Sequence, residues 1–210
     1  MSGRFRKTDW GCITSLLAGG WPKARSGHWR RSEGGAALVE AAIILPVVVL
    51  IVFGIIEWGL AFKDALTVSS ATRAGARTAS AMPRQSNMAA QTKSAMEKAV
   101  SALPNGSIQQ MWIYKADPTT GYPDGGSSFS GCTTCFVYSW NTSTQKFVPA
   151  GSQSWNFASQ SACAGAVDSV GIYLKVNHAL ITGFFGNNVV LKDHTVMNLE
   201  PVPSSSGCGP

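Results

Sequence analysis

The hydrophobic pattern divides the chain into three stretches of different character. From Ala41 to Phe62 it reads AAIILPVVVLIVFGIIEWGLAF, in which only Pro46, Gly54, Glu57 and Gly59 interrupt the apolar run. As a helix this run spans roughly 33 Å at about 1.5 Å per residue, close to the ~30 Å hydrocarbon core of a bilayer. It has no polar face, which predicts a membrane span rather than a buried soluble helix. Pro46 removes one helical hydrogen bond, so a mild kink is expected.

After Lys63-Asp64 the pattern changes to small and polar helix formers, ALTVSSATRAGARTASA over residues 65–81. Ser70/Ala74 and Ala71/Gly75 place small residues four apart, which lets backbones approach closely. Arg73 and Arg77 share a side and suit a salt bridge to a partner. This predicts a continued helix with a packing face, turned toward its own domain or a neighbouring subunit. Met82-Pro83 should break it. Residues 84–102 resume helical spacing through Met88, Ala95, Met96, Ala99 and Val100, and Pro104-Asn105-Gly106 ends that segment.

The remainder reads as strands and turns. SIQQMWIYKA over 107–116 has strand character, and 117–131 is rich in turn residues. Cys135–Trp140 and Lys146–Pro149 form a hairpin around Asn141–Gln145. Residues 151–166 are ambiguous, loop with a short helix. Val170–Val176 and Val189–Leu199 are strands, the second entered through Asn187-Asn188, and PVPSSSGCGP follows as a flexible tail. The predicted fold class is a membrane-anchored α+β chain: a long N-terminal transmembrane helix, an extracytoplasmic continuation, then a small antiparallel sheet. The expected divisions are a basic leader over 1–35, the membrane helix over 36–63, a helical stem over 64–104, a β-rich domain over 105–201 and the tail over 202–210.

Charge adds topology to this picture. Charged residues are 13% of the chain, about half the share in ordinary soluble domains. Residues 1–33 hold seven Lys/Arg against Asp9 and Glu33, a balance of +5; residues 34–210 hold ten Lys/Arg and nine Asp/Glu, a balance of +1. A basic flank before one apolar run orients the N-terminus toward the cytoplasm and the C-terminal part outside. Topology thus accounts for the basic arm, and nucleic acid is not an expected partner. A cleaved secretory signal fits poorly, because h-regions are usually ~7–15 residues and the nearest A-x-A-like site, Ala79-Ser80-Ala81, lies well past the run.

The junction before the helix carries the sharpest motif. Residues 30–46 read RRSEGGAALVEAAIILP. A carboxylate at the head of a membrane helix is costly unless paired or functional. Glu40 has two physical uses: it favours the positive end of the helix dipole, and it can pair with the free amine of a neighbouring subunit if the chain is cut after Gly35. The cut would make Ala36 the first residue and Glu40 the fifth. This arrangement resembles the class III signal of type IV pilins. The continuation, with Pro46, Gly54-Ile55-Ile56-Glu57, Gly59 and Arg73-Ala74-Gly75-Ala76-Arg77, resembles the TadE-like family of tight-adherence pilus assembly proteins, or pseudopilins. The resemblance covers residues 34–81. It implies a pilin-like α+β arrangement, processing at Gly35 and Ala36 by a prepilin peptidase with Glu40 retained, and a place in the bacterial envelope. It further implies other pilins or pseudopilins, the pilus assembly machinery and membrane lipid as partners, and a role connected with cell adhesion.

The other polar residues leave several readings open. Glu57, a second intramembrane carboxylate, either faces the lipid headgroups beside Trp58 as an interfacial anchor or pairs with a cation on another helix. Cys132, Cys135, Cys163 and Cys208 lie on the expected exterior side, where disulfides persist; at least one bridge is expected, with Cys163 favoured to pair with Cys132 or Cys135. Cys132-x-x-Cys135 also has redox or zinc spacing, but no thioredoxin-like βαβ pattern surrounds it. The further zinc ligands available, Cys163, His178, His194 and Cys208, are scattered. Asn105-Gly106-Ser107 and Asn141-Thr142-Ser143 match the glycosylation sequon but read as turn chemistry. No nucleophile elbow, zincin helix, Walker loop or paired-carboxylate motif is present. No catalysis, cofactor or metal is therefore expected. A pseudopilin, an unprocessed signal-anchored envelope binding module and an anchored redox enzyme are the competing readings, and Gly35 with Glu40 favours the first.

Overall fold

The structure is a computed structural model that describes residues 34–183, 185–203 and 207–209. Most of the basic leader, with Cys12 and His28, lies outside the described residues, as do residues 204–206 of the expected tail. The chain divides into two compact units, residues 1–44 and 45–210. In the first, the described residues are the opening turns of a helix, α1, which runs over Gly34–Ser80.

In the second unit α1 continues without a helical break, followed by α2 over Met88–Ala99 and a short 3-10 turn over Val100–Ala102. Met82-Pro83 does end the long helix: Arg84 takes a positive φ of 59° at the reversal. Five strands then form one antiparallel sheet: β1 Ile108–Ala116, β2 Cys135–Asn141, β3 Lys146–Gln153, β6 Ser169–Ala179 and β7 Asn188–Asn198. A small hairpin of β4 Ala162–Cys163 and β5 Ala166–Val167 occupies part of the segment whose sequence is ambiguous, after a 3-10 turn at Phe157–Ser159. The main order is β3-β2-β1-β6-β7, so β1 is central and flanked by β2 and β6. This is the α+β class that the sequence pattern predicts.

Local chemistry explains the connections. Asn141 Oδ1 accepts from the backbone N–H groups of Ser143 and Thr144 at 2.9 and 3.0 Å, closing the β2–β3 turn. Asn105 accepts from Trp140 Nε1 at 2.7 Å and donates to the Thr142 carbonyl at 2.8 Å. Both sequon asparagines are thus engaged in turn contacts.

Alternation along β1 sends side chains to both faces of the sheet. Met111 and Ile113 face a core shared with α1 and α2, which also holds Met96, Ile172, Leu174 and Trp155. Trp112 and Tyr114 face the other way and pack with Tyr173, Cys135 and Phe129 under the 117–134 loop. Gly171 is opposite Tyr114 in the β1–β6 register, and a Cβ there would meet the Tyr114 ring at 2.1 Å. Glycine is the residue that leaves room for this ring, whose hydroxyl donates to the Gly121 carbonyl at 2.8 Å. Burial pushes the Tyr114 phenol up from its ordinary range, and does the same for Tyr138 and Tyr173.

The disulfides are Cys132–Cys135 and Cys163–Cys208. The expectation of a bridge is met, but the favoured pairing of Cys163 with Cys132 or Cys135 is overturned. The reason is topological. β7 ends beside the start of β6, where Asn198 faces Ser169, so the chain after β7 runs past β4. There the Val202 N–H donates to the Ala162 carbonyl, and the Ala162 N–H donates to the Cys208 carbonyl. Where the sequence suggests a flexible tail, Cys208 is covalently held.

Candidate functional site

Gly35, Ala36 and Glu40 all lie in the opening turns of α1 and are exposed. A Cβ at Gly35 would meet nothing within 4 Å. Because Gly34 is already helical, Glu40 stands beyond the first turn of the intact chain, where the dipole effect has largely fallen away. In this form the first of the two physical uses of Glu40 is weak; shortening the chain to Ala36 would bring it closer to the helix end.

From Leu45 to Ile56 the side chains of α1 are exposed, apart from half-buried Gly54. This stretch is long and apolar enough, together with its neighbours in α1, to be a candidate membrane anchor. From Glu57 onward one stripe turns inward: Glu57, Ala61, Asp64, Val68, Ala71, Gly75 and Ala79 are buried. Their spacing is four or three at every step, as a helix needs to keep one face on a flat partner. Small residues make the approach close. A Cβ on Gly75 would stand 2.6 Å from Met96 Sδ and 3.3 Å from Ile172 Cγ2.

Polar groups on this stripe find partners on β6, on β7 and in the turn between them. Thr72 Oγ1 lies 3.0 Å from Thr195 Oγ1 and 3.3 Å from Asp193 Oδ2. Asp64 Oδ2 is 2.8 Å from Nδ1 of the buried His178. Glu57 is 1% exposed; it accepts from the Thr182 backbone N–H at 3.0 Å and from the Thr182 hydroxyl at 2.6 Å. Neither expected setting of Glu57 occurs. The β6–β7 turn covers the carboxylate instead of leaving it outward beside Trp58, and among the described residues no cation on another helix pairs with it. Its neighbour Trp58 is 53% exposed.

The predicted packing residues therefore separate. Ala71 and Gly75 are buried against the chain's own sheet, and Ala74 is half-buried. Ser70, Arg73 and Arg77 are exposed and, with Leu66, line a shallow recess on the opposite side of α1. Among the described residues neither arginine has an ion-pair partner. Sequence reasoning missed Asp64, Thr72 and His178. The signal was available in part: Glu57, Asp64 and Thr72 recur at seven and eight residues, in phase with Ala61, Val68 and Ala71.

On the far face of the sheet a groove of about 510 Å³ is lined by Tyr122, Phe129, Tyr173, Lys175, Lys192 and His194, among others. His194 stacks on Tyr122 with ring centroids 5.9 Å apart. Asp117, at the start of the covering loop, accepts from the Thr119 and Thr120 N–H groups, which hold its carboxyl below the usual range. Cys132 and Cys135 are closed on each other at the edge of this face, and among the described residues no cluster of three His, Cys, Asp or Glu is arranged to hold a metal ion.

Residues 35–77 match the family model described as TadE-like protein. The matched stretch contains Gly35, Glu40, Glu57 and the Arg73–Arg77 segment, and it bears out the resemblance these residues carry. No curated protein and no solved structure matches the chain.

Proposed function

We propose, from the TadE-like match over residues 35–77, that this protein is a pseudopilin or minor pilin. It is a single-pass protein of the cytoplasmic membrane that takes part in assembly of a tight-adherence type pilus. The observation carrying this reading is the family match on a helix whose apolar residues stay exposed from Leu45 to Ile56. The basic leader stays inside and the sheet domain outside, following the charge asymmetry. The protein does no chemistry of its own. Its work is insertion, processing by a prepilin peptidase, and packing against other pilins and the assembly machinery through the exposed face with Leu66, Ser70, Arg73 and Arg77.

Processing is the step that defines the reading. The bond between Gly35 and Ala36 lies in helical backbone, which the peptidase must open. Glycine weakens helix there by about 1 kcal/mol relative to alanine and lets the enzyme approach the backbone closely. Glu40 is spared by the cut and is available to an N-terminal amine in a low-dielectric setting. N-terminal sequencing of protein recovered from membranes should begin at Ala36. Gly35→Leu should block cutting and leave a larger membrane species, whereas Glu40→Ala should leave cutting intact and impair association with pilus components. A mature chain beginning at Met1 or Ser2, in cells with an active prepilin peptidase, would sink the reading. An unprocessed envelope binding module would then take its place, with the aromatic groove of the sheet as its ligand surface.

A further inference from the structure

We infer that the turn between β6 and β7 is a second membrane contact, an apolar tip that enters the outer leaflet alongside α1. The inference rests on the reading of residues 41–62 as the span. The turn follows Ala179 and ends at Asn188, and no ionisable residue occurs between Ala179 and Leu191. Surface turns are ordinarily built from polar and glycine residues. Here Ile181 is 71% and Phe185 49% exposed.

The depth of this tip is fixed by what it touches on α1. Thr182 is bonded to Glu57 through its N–H and hydroxyl, at 3.0 and 2.6 Å. The Phe185 ring lies 3.5 Å from the place a Cβ on Gly54 would occupy. Both α1 residues are interior to the apolar run that ends at Phe62. Glu57 stands five positions before that end, roughly 7–8 Å at about 1.5 Å per residue. Apolar elements that lie at a membrane surface bury about 5–10 Å into the headgroup and acyl boundary. If lipid surrounds α1 at Gly54, it also meets Ile181 and Phe185.

The chemistry of the contact suits that depth. Irregular backbone at membrane level must find its hydrogen bonds within the protein. The turn closes on itself through the Leu180 N–H to the Asn187 carbonyl at 3.0 Å. Glu57 takes the Thr182 N–H, which water would otherwise satisfy. The buried carboxylate thus gains donors, and the turn gains an acceptor, at a level where neither finds bulk solvent.

The test uses the full chain in liposomes with Cys12→Ser, so that an introduced cysteine is the thiol labelled with a nitroxide. Four sites are compared: Ile181→Cys and Phe185→Cys at the tip, Val48→Cys in the free part of α1, and Thr144→Cys at the β2–β3 turn. We expect both tip labels to lose collisional broadening by a water-soluble nickel chelate while keeping that by oxygen, as at Val48 and unlike Thr144. Tip labels as open to nickel as Thr144, with Val48 protected, would overturn the inference and leave the span intact. Tip labels shielded from both reagents would indicate cover by protein, such as a second copy, and would also overturn it. A Val48 label open to nickel would remove the span itself, and the inference with it.

Discussion

The two stretches of α1 on either side of Glu57 belong to one uninterrupted helix and have opposite relations to the rest of the chain. Between Leu45 and Ile56 the side chains are large, branched and exposed; between Glu57 and Ser80 one face is small or polar and buried. Apolar content and burial are thus inverted along a single element. Among the described residues nothing buries the large ones, as suits a lipid-facing surface. The docked face is rich in Ala, Gly and Thr, and at Gly75 the Met96 and Ile172 side chains come too close for anything bigger. What holds the docked part is a set of side-chain hydrogen bonds at Glu57, Asp64 and Thr72 together with close packing of small residues.

Substitutions that treat the two stretches alike should have unlike effects. The largest is expected for Asp64→Ala. It removes the partner of His178, a buried ring whose Nε2 has no hydrogen bond among the described residues. Leaving a buried ring nitrogen without its carboxylate partner costs up to about 3 kcal/mol, so chemical denaturation of the full chain in detergent should show a clear fall in midpoint. Gly75→Leu comes next, at about 1–3 kcal/mol for forcing volume into a packed contact; partial relief by Met96→Ala in the same background would identify the clash. Glu57→Leu should cost about 1–3 kcal/mol by stranding the Thr182 N–H. Glu57→Gln, which keeps an acceptor, should cost less, and protease sensitivity of the β6–β7 turn should rise in the same order. The smallest effect is expected from Val48→Ala in the free stretch, within about 0.5 kcal/mol in detergent, as for surface sites generally. A loss at Val48 comparable to that at Asp64 would break the comparison.

Legibility in the sequence follows the range of the interaction. The apolar run, the helix break at Met82-Pro83, the hairpin around Asn141 and the central strands were readable because short-range periodicity and turn chemistry set them. The 151–166 segment was not, since β4 and β5 are two residues each and depend on the returning tail for pairing. Gly171 illustrates the same limit. Nothing local distinguishes it from other strand glycines; its role exists because the register sets it against Tyr114.

By itself the sequence determined that a long apolar helix leads into an α+β domain, and it supplied the Gly35–Glu40 junction that the TadE-like match then covered. These are properties of contiguous residues, where spacing and transfer energy decide the outcome. Tertiary structure alone decided which face of α1 is occupied, that Glu57 is capped by Thr182, that Asp64 meets His178, and that Cys163 joins Cys208. Each of those pairs spans 45 or more residues of chain. A side chain's periodicity gives the face it occupies, but its partner is chosen by strand order and register, which no local pattern encodes.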